Sequence, residues 1–162
     1  CDLIARQYML LERGLYASPV YLQARPAPQT PADLAEHDFV VLSQGKGLHR
    51  TLRNGQQTAE VDARGPLEAN SIGLVLSLTR AGGGIGSFPF GMVAPDVAAG
   101  TLVPVLPDWR HAPLPVTLFT ASRRLLPAKT RAFIDHLFET KPEWAREALM
   151  PPPVKKVSGE AE

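Results

Sequence analysis

Short apolar segments typical of β-strands alternate along this chain with amphipathic segments typical of α-helices, and glycine or proline separates most of them. This alternation constrains the fold more than any single motif does. The strand-like segments are residues 3–9, 14–18, 39–43, 85–88, 101–106 and 116–121. The helical segments begin near residues 30, 71, 89 and 127. This order is typical of an α/β protein with a partly parallel sheet.

Turn and capping signals mark several of the boundaries between these segments. Asn54 and Gly55 lie between two segments of alternating polarity, which predicts a β-hairpin with a tight turn. Thr30 followed by Pro31 is a usual helix start. Pro95 lies inside the helix predicted to begin near residue 89, so we expect that helix to be broken or kinked there.

Length and charge exclude several classes of protein. A chain of 162 residues has the usual length of one domain and suffices for one or two small lobes. Lys and Arg number 17 and Asp and Glu number 16, so the net charge is +1. The chain therefore lacks the excess of basic residues that is typical of nucleic-acid-binding proteins. No apolar run approaches the ~18–20 residues that span a bilayer. Cys1 is the only cysteine, so no disulfide forms within the chain.

No pattern of catalytic nucleophile, metal ligands or cofactor-binding glycines stands out. The four histidines form no His-Glu-x-x-His motif, and no Gly-x-Ser-x-Gly elbow occurs. His136 and Glu139 share a helix face, which is a weak metal signal, but surface residues of an amphipathic helix have the same spacing. The glycines of residues 82–86 follow a helix rather than a strand, so they predict a turn rather than a phosphate loop. We expect no catalytic residue, no metal and no cofactor.

Three places are candidates for binding a small ligand. Asn70 and Ser71 precede a helix whose free N–H groups attract anions, although plain helix capping requires the same residue types. Ser18, at the end of a strand, either hydrogen-bonds a ligand or caps a turn. The backbone of residues 86–88 either lines a ligand cleft or belongs to a tight, closely packed turn.

Seven segments occur in an order that is informative as a set, although each is a weak signal alone. They are Leu-Ile-Ala-Arg at 3–6, Leu-Tyr-Ala-Ser-Pro-Val-Tyr-Leu at 15–22, Thr-Pro-Ala-Asp-Leu-Ala-Glu-His at 30–37, Glu-Ala-Asn-Ser at 68–71, Arg-Ala-Gly-Gly-Gly-Ile-Gly at 80–86 with Pro89, Ala-Gly-Thr-Leu-Val-Pro-Val-Leu at 99–106, and Pro-Ala-Lys-Thr-Arg-Ala-Phe-Ile-Asp-His-Leu at 127–137. Over residues 3–140 this order resembles the effector-binding domain of LysR-type transcriptional regulators.

The resemblance implies a fold like that of type II periplasmic binding proteins, with two α/β lobes joined by crossing strands and a small-molecule cleft between them. On that basis residues 1–18 and 113–140 belong to the first lobe, which is incomplete in this chain. Residues 19–112 form the second lobe, and residues 141–162 form a mobile C-terminal extension.

The resemblance also implies a function. A small organic acid or other anion would bind in the cleft, and a winged helix-turn-helix domain outside this chain would contact DNA. The assembly would be a cytoplasmic homo-oligomer with no membrane contact. Carried over by position, the effector-binding residues are Ser18, Asn70, Ser71, Gly86, Ser87, Phe88 and Pro89.

Two departures and two alternatives accompany this interpretation. We expect the DNA-binding domain and most of the first lobe to lie outside this sequence, so that effector binding by this chain alone is in doubt. Leu48 and His49 stand where the family often has a tryptophan, which removes an aromatic contact. A solute-binding component of a transporter shares the fold and is the main alternative. An enzyme on the same fold would require convergent titratable groups, whereas the sequence places mainly serine, asparagine and glycine at the cleft.

Overall fold

The computed structural model describes residues 3–43, 49–121 and 126–141, which form two compact units. The described part of the smaller unit consists of Leu3–Leu11 and of residues 115–121 and 126–141. The larger unit is Glu12–Leu114.

The boundary between the units differs from the one that the resemblance implies. Residues 12–18 belong to the larger unit rather than to the first lobe, because the strand that they contain pairs with two strands of the larger unit. The extension expected over residues 141–162 lies outside the described residues from residue 142 onward.

Ten strands, four α-helices and one 3₁₀ helix make up the described residues. In chain order they are β1 (Leu3–Leu11), β2 (Arg13–Ala17), α1 (Pro19–Ala24), the 3₁₀ helix (Pro31–Glu36), β3 (Val40–Leu42), β4 (His49–Asn54), β5 (Gln57–Asp62), β6 (Leu67–Ala69), α2 (Ile72–Arg80), β7 (Gly86–Pro89), α3 (Phe90–Ala99), β8 (Val103–Val105), β9 (Arg110–His111), β10 (Leu114–Ala121) and α4 (Ala128–Glu139).

Small sheets organise both units. In the larger unit β2 lies between β7 and β8 and is antiparallel to both, and β4 lies in the same way between β5 and β9. β3 and β6 form a parallel pair. In the smaller unit β1 is hydrogen-bonded to β10. These sheets and the helices between them confirm the α/β class, with parallel pairing between β3 and β6 and antiparallel pairing in both three-stranded sheets.

Strand β2 supplies side chains to two apolar clusters of the larger unit. Successive residues of a strand point to opposite faces of its sheet. Leu15 and Ala17 therefore join one cluster, with Phe39, whereas Tyr16 joins the other, with Phe88. Four consecutive residues of β2, from position 14 to position 17, are buried, as expected for a strand covered on both faces.

Helix α2 and its glycine-rich end follow the sequence-based expectation. Val75, Leu76 and Thr79 are its buried residues and lie at helical spacing. The chain then turns through Gly82 and Gly84, whose φ values are 91° and 143°. Those angles suit glycine because it lacks a Cβ atom.

Of the break or kink expected at Pro95, the break is wrong. Helix α3 runs without interruption from Phe90 to Ala99 and ends at Gly100. Packing on both sides of the proline accounts for this continuity. Val93 is fully buried before it, and after it the carboxylate of Asp96 binds the guanidinium of Arg80 at 2.6 and 2.7 Å.

The hairpin prediction is confirmed, and three short elements were missed. Asn54 pairs with Gln57, so Gly55 lies in a two-residue loop, with φ 58°. The missed elements are α1, β6 and β9. Each has six residues or fewer, too short for a clear periodic pattern of apolar residues. None of the helices in the described part of the chain is long and apolar enough to cross a membrane.

We predict opposite stability effects of alanine at two glycines. A Cβ at Gly86 would overlap the Phe88 ring and the Thr79 hydroxyl, so Gly86→Ala should lower the free energy of unfolding by about 1–3 kcal/mol. Gly73 is exposed in α2 with only Ser71 Oγ near its Cβ position, so Gly73→Ala should raise it by about 0.5–1 kcal/mol. Urea denaturation measures both. Equal effects of the two substitutions would contradict the packing described for β7.

Candidate functional site

The register of β2 and β7 sets the positions of most predicted effector-binding residues. Gly86 lies opposite Tyr16, and Pro89 lies opposite Arg13. Ser18 directly follows β2 and so lies at the Gly86 end of the pair. Pro89 is at the other end, about 10 Å from Gly86 along the strand, because a strand rises about 3.4 Å per residue. The predicted residues therefore line a strand pair rather than one point.

Ser18 caps helix α1 in this structure. Its Oγ accepts a hydrogen bond from the Tyr21 N–H at 3.3 Å, and the residue is only 1% exposed. Of the two roles that the sequence left open, the capping role is the one that the geometry shows. The hydroxyl proton of Ser18 is still available as a donor, because capping uses only the oxygen.

Asn70 and Ser71 have a different environment. Both are exposed, and they lie between β6 and α2. Ser71 occupies the N-cap position, but its side chain makes no capping hydrogen bond and only its carbonyl accepts one, from the Val75 N–H at 3.0 Å. The first turn of α2 holds no acidic side chain. Its free N–H groups therefore favour a negative charge near Ser71.

The residues of β7 divide between packing and polar roles. Phe88 is 0% exposed and belongs to an apolar cluster with Tyr16. Gly86 is buried where a larger residue would overlap its neighbours. The hydroxyl of Ser87 is also buried, yet it has no hydrogen-bond partner among the described residues. Ser87 is therefore the residue of β7 whose side chain offers an unused polar group.

Two further buried polar atoms without a partner lie in the same unit. They are Nε of Arg13 and Nε2 of His111, the latter in a residue only 6% exposed. Arg13 shares a sheet face with Ser87, because Pro89 is opposite Arg13 and Ser87 lies two residues before Pro89. We call Arg13, Ser87 and His111 the donor cluster.

Positive charge surrounds the donor cluster. Burial, together with Arg13 and Arg50, lowers the pKa of His111 to about 4. Burial and then Arg50 also lower the pKa of Arg13. Arg50 lies two residues before Leu52 on β4, and Leu52 is opposite His111, so these side chains share one face of their sheet. Sequence reasoning missed this arrangement, because its members come from four separate strands.

Two cavities are bordered by residues of the larger unit. One, of about 240 Å³, is lined by Tyr16, Phe90, Trp109 and Arg110 among others. The other, of about 460 Å³, is bordered by residues that include His37, His49 and Asp62. None of the seven residues predicted to bind an effector lines either cavity.

A histidine–carboxylate group borders the larger cavity. His49 contacts Asp62 at 2.8 Å and Glu60 at 2.9 Å, and the hydrogen bond to Asp62 raises the pKa of His49. All three side chains are at least half exposed. Over the described ranges of the chain, no three His, Cys, Asp or Glu residues are grouped so as to hold a metal ion, and this includes His136 and Glu139.

Comparison with known families identifies the class of this fold. The family described as the LysR substrate binding domain matches residues 2–141. The chain therefore belongs to that family, and its fold is of the type II periplasmic-binding-protein kind that the resemblance implied.

The relatives and solved structures agree with this membership. The HTH-type transcriptional repressor PA14_22550 of Pseudomonas aeruginosa (strain UCBPP-PA14) is 34% identical, over 88% of this chain and 47% of its own length. The probable HTH-type transcriptional regulator LtrA of Klebsiella pneumoniae is 33% identical, over 83% of this chain and 45% of its own length. The structure of the regulatory domain of AphB in Vibrio vulnificus is 34% identical, with a TM-score of 0.72, over 86% of this chain and 69% of that one.

These comparisons also bear on the alternatives. The chain spans about half the length of the curated relatives it matches. Those relatives are named as transcriptional regulators, which does not support the alternative of a transporter component. The family is one of regulatory domains rather than of enzymes.

We predict that the two serines differ in their contribution to stability. Ser18→Ala removes the side-chain cap of α1 and should lower the free energy of unfolding by about 1 kcal/mol. Ser71→Ala removes no hydrogen bond of the described structure, so it should change that free energy by less than about 0.5 kcal/mol. Urea denaturation of both variants tests this difference. A loss at Ser71 as large as at Ser18 would contradict it.

The neutral state of buried His111 should make stability depend on pH. In the unfolded chain this histidine takes up a proton near pH 6.5, whereas in the folded chain it does so only near pH 4. The unfolded state therefore binds more protons between these values, and stability falls as the pH falls from 6.5 to 4, by about 3 kcal/mol in total.

Substitution of the histidine isolates this effect. His111→Gln should flatten the dependence of unfolding free energy on pH between 6.5 and 4. His136→Gln, at an exposed position of α4, should leave it as in the wild type. Contributions from carboxylates cancel in the comparison. If His111→Gln and the wild type lose stability in parallel, His111 is not the buried neutral group described.

Proposed function

We propose that this chain is the ligand-sensing regulatory domain of a LysR-type DNA-binding transcriptional regulator. The observation that carries the proposal is the family match over residues 2–141, together with relatives named as regulators. Contact with DNA belongs to a helix-turn-helix domain of the intact protein. The intact protein would work in the cytoplasm as a homo-oligomer and would perform no catalysis.

The effector-binding residues that we propose are the seven from the sequence, with different contributions. Ser71 and Asn70 are exposed beside the N–H groups that begin α2, and they would bind an acidic group of the effector. Ser18 would donate its hydroxyl proton while its oxygen caps α1. The remaining four residues belong to β7 and are Gly86, Ser87, Phe88 and Pro89. They would add polar, backbone and apolar contacts to the effector.

Control of transcription would follow from a shift between conformations. An effector changes the balance of two states only by its difference in affinity for them. Uncapped N–H groups at the start of α2 provide such a difference if one state brings them into contact with the effector and the other leaves them in water. Serine, asparagine and backbone N–H groups suit reversible binding, which a sensor requires.

The test uses the intact regulator and a transcriptional reporter. A panel of small organic acids, amino acids, aromatic compounds and inorganic ions first identifies the compound that changes reporter output. Ser71→Ala should then shift the dose–response curve to about tenfold or more higher concentration, since a hydrogen bond to a charged group contributes roughly 1.5–3 kcal/mol.

Ser77→Ala is the matched control. Ser77 is an exposed serine of the same helix, and its hydroxyl donates to the Gly73 carbonyl at 3.0 Å. The control should leave the curve unchanged. An unchanged curve for Ser71→Ala would remove Ser71 from the effector site. A coding sequence that supplies a signal peptide in place of a helix-turn-helix domain would overturn the proposed function itself.

A further inference from the structure

The donor cluster of Arg13, Ser87 and His111 contains three buried polar atoms that make no hydrogen bond within the described residues. A buried donor without a partner costs about 1–3 kcal/mol, so folded proteins rarely keep one without a reason. Three of them within one unit, on strands β2, β7 and β9, are therefore unusual. Arg13 also forms no ion pair with any residue that the structure describes.

We propose that the donor cluster binds a small anionic group, a carboxylate or an inorganic oxyanion, with Arg13 as the charged ligand. Arg13 Nε–H and the Ser87 hydroxyl would each donate one hydrogen bond to the anion. His111 would donate a third from Nε2. Arginine suits this role because its planar guanidinium presents N–H donors in a fixed geometry that matches carboxylates and oxyanions.

The register of the strands brings these donors together. Arg13 and Ser87 are diagonal neighbours on one face of the β2–β7 pair, about 7–8 Å apart at their Cα atoms and within reach of a long side chain. His111 lies on β9, opposite Leu52 of β4. Strands β2 and β9 are in contact, and Leu15 on the face of Arg13 packs in the same apolar cluster as Leu52, so the two faces meet.

The charges around His111 favour an anion rather than a cation or a neutral ligand. The groups that act on it are Arg13 from β2 and Arg50 from β4, and both are positive. Ser87 from β7 contributes a neutral hydroxyl. An anion among these groups would offset the repulsion and allow His111 to take up a proton, which would give it a second donor.

The inference rests partly on the proposed function, because Ser87 belongs to both sets of residues. It adds the charged group that the seven predicted residues lack, and it names the chemical class of the ligand. Its own test is direct binding by the purified chain, which needs no transcriptional response. A regulator that fails to respond while the chain binds anions would refute the proposed function and leave this site intact.

The experiment titrates the purified 162-residue chain with sodium acetate and, separately, with sodium sulfate. Sodium chloride at matched ionic strength is the reference. NMR of the His111 imidazole follows binding and gives the pKa of His111 at each anion concentration. We expect saturable binding that raises this pKa and that becomes tighter as the pH falls toward 4. Saturation by acetate indicates a carboxylate ligand, and saturation by sulfate alone indicates an inorganic oxyanion.

Variants distinguish a specific site from a general effect of ions. Arg13→Gln should weaken binding about tenfold or more, and Ser87→Ala about two- to tenfold, as expected for charged and neutral hydrogen bonds. Arg53→Gln removes the same charge at an exposed position of β4 and should bind as the wild type does. Without anion, Arg13→Gln should unfold at the same or a higher temperature, because it removes an unpaired cation rather than a structural contact.

Two results would overturn the proposal. One is the absence of saturable binding of either anion at pH 5.5, where a bound anion that raises the pKa of His111 would let it take up a proton. The other is equal binding by the wild type and by Arg13→Gln, which would mean a general ion effect. If Arg13→Gln does not fold, Arg13→Lys and Ser87→Ala replace it. Binding by both of these at wild-type strength would then refute the site.

Discussion

Strand β2 is the element on which the larger unit depends, because it is buried on both faces. Its five residues lie between β7 and β8, and their alternating side chains reach two apolar clusters. In a strand that is covered on both faces, polar side chains can lie next to the core only at the two ends. Arg13 stands at one end and Ser18 directly follows the other, and both are central to the functional proposals.

The two ends of β2 satisfy their polar groups in different ways. Ser18 caps the short helix that follows, so its oxygen already has a partner in the Tyr21 N–H. The Nε of Arg13 has no such partner among the described residues, and the positive charge of Arg50 adds repulsion rather than compensation. Natural proteins keep unfavourable groups of this kind chiefly at functional sites, where a ligand supplies the missing interaction.

Local chemistry in the sequence was sufficient to predict most of the helices, the hairpin and the family. The Asn54-Gly55 turn and the end of α3 at Gly100 depend on backbone angles that few residues other than glycine adopt readily, so the residue type is itself the signal. The continuity of α3 through Pro95 could not be predicted in this way. It depends on Asp96 binding Arg80, which belongs to another helix.

The donor cluster could not be predicted from the sequence either, because it also depends on contacts between distant segments. Arg13, Ser87 and His111 lie far apart in the chain, and each resembles an ordinary strand residue in its own segment. Only the register that sets Pro89 opposite Arg13 and Leu52 opposite His111 brings the cluster together. The seven predicted residues were chosen because they stand in or beside recognisable motifs, and Ser87 is among them whereas Arg13 and His111 are not.

The position of the donor cluster between two sheets links binding to conformation. Arg13 and Ser87 belong to the β7–β2–β8 sheet, whereas His111 belongs to the β5–β4–β9 sheet. Without an anion, the positive charges of Arg13 on the first sheet and Arg50 on the second repel each other and oppose close contact of the two sheets at this point. With an anion bound, the same charges favour contact. A ligand whose binding reverses the sign of an interaction has different affinities for close and separated arrangements, and that difference is what a shift in population requires.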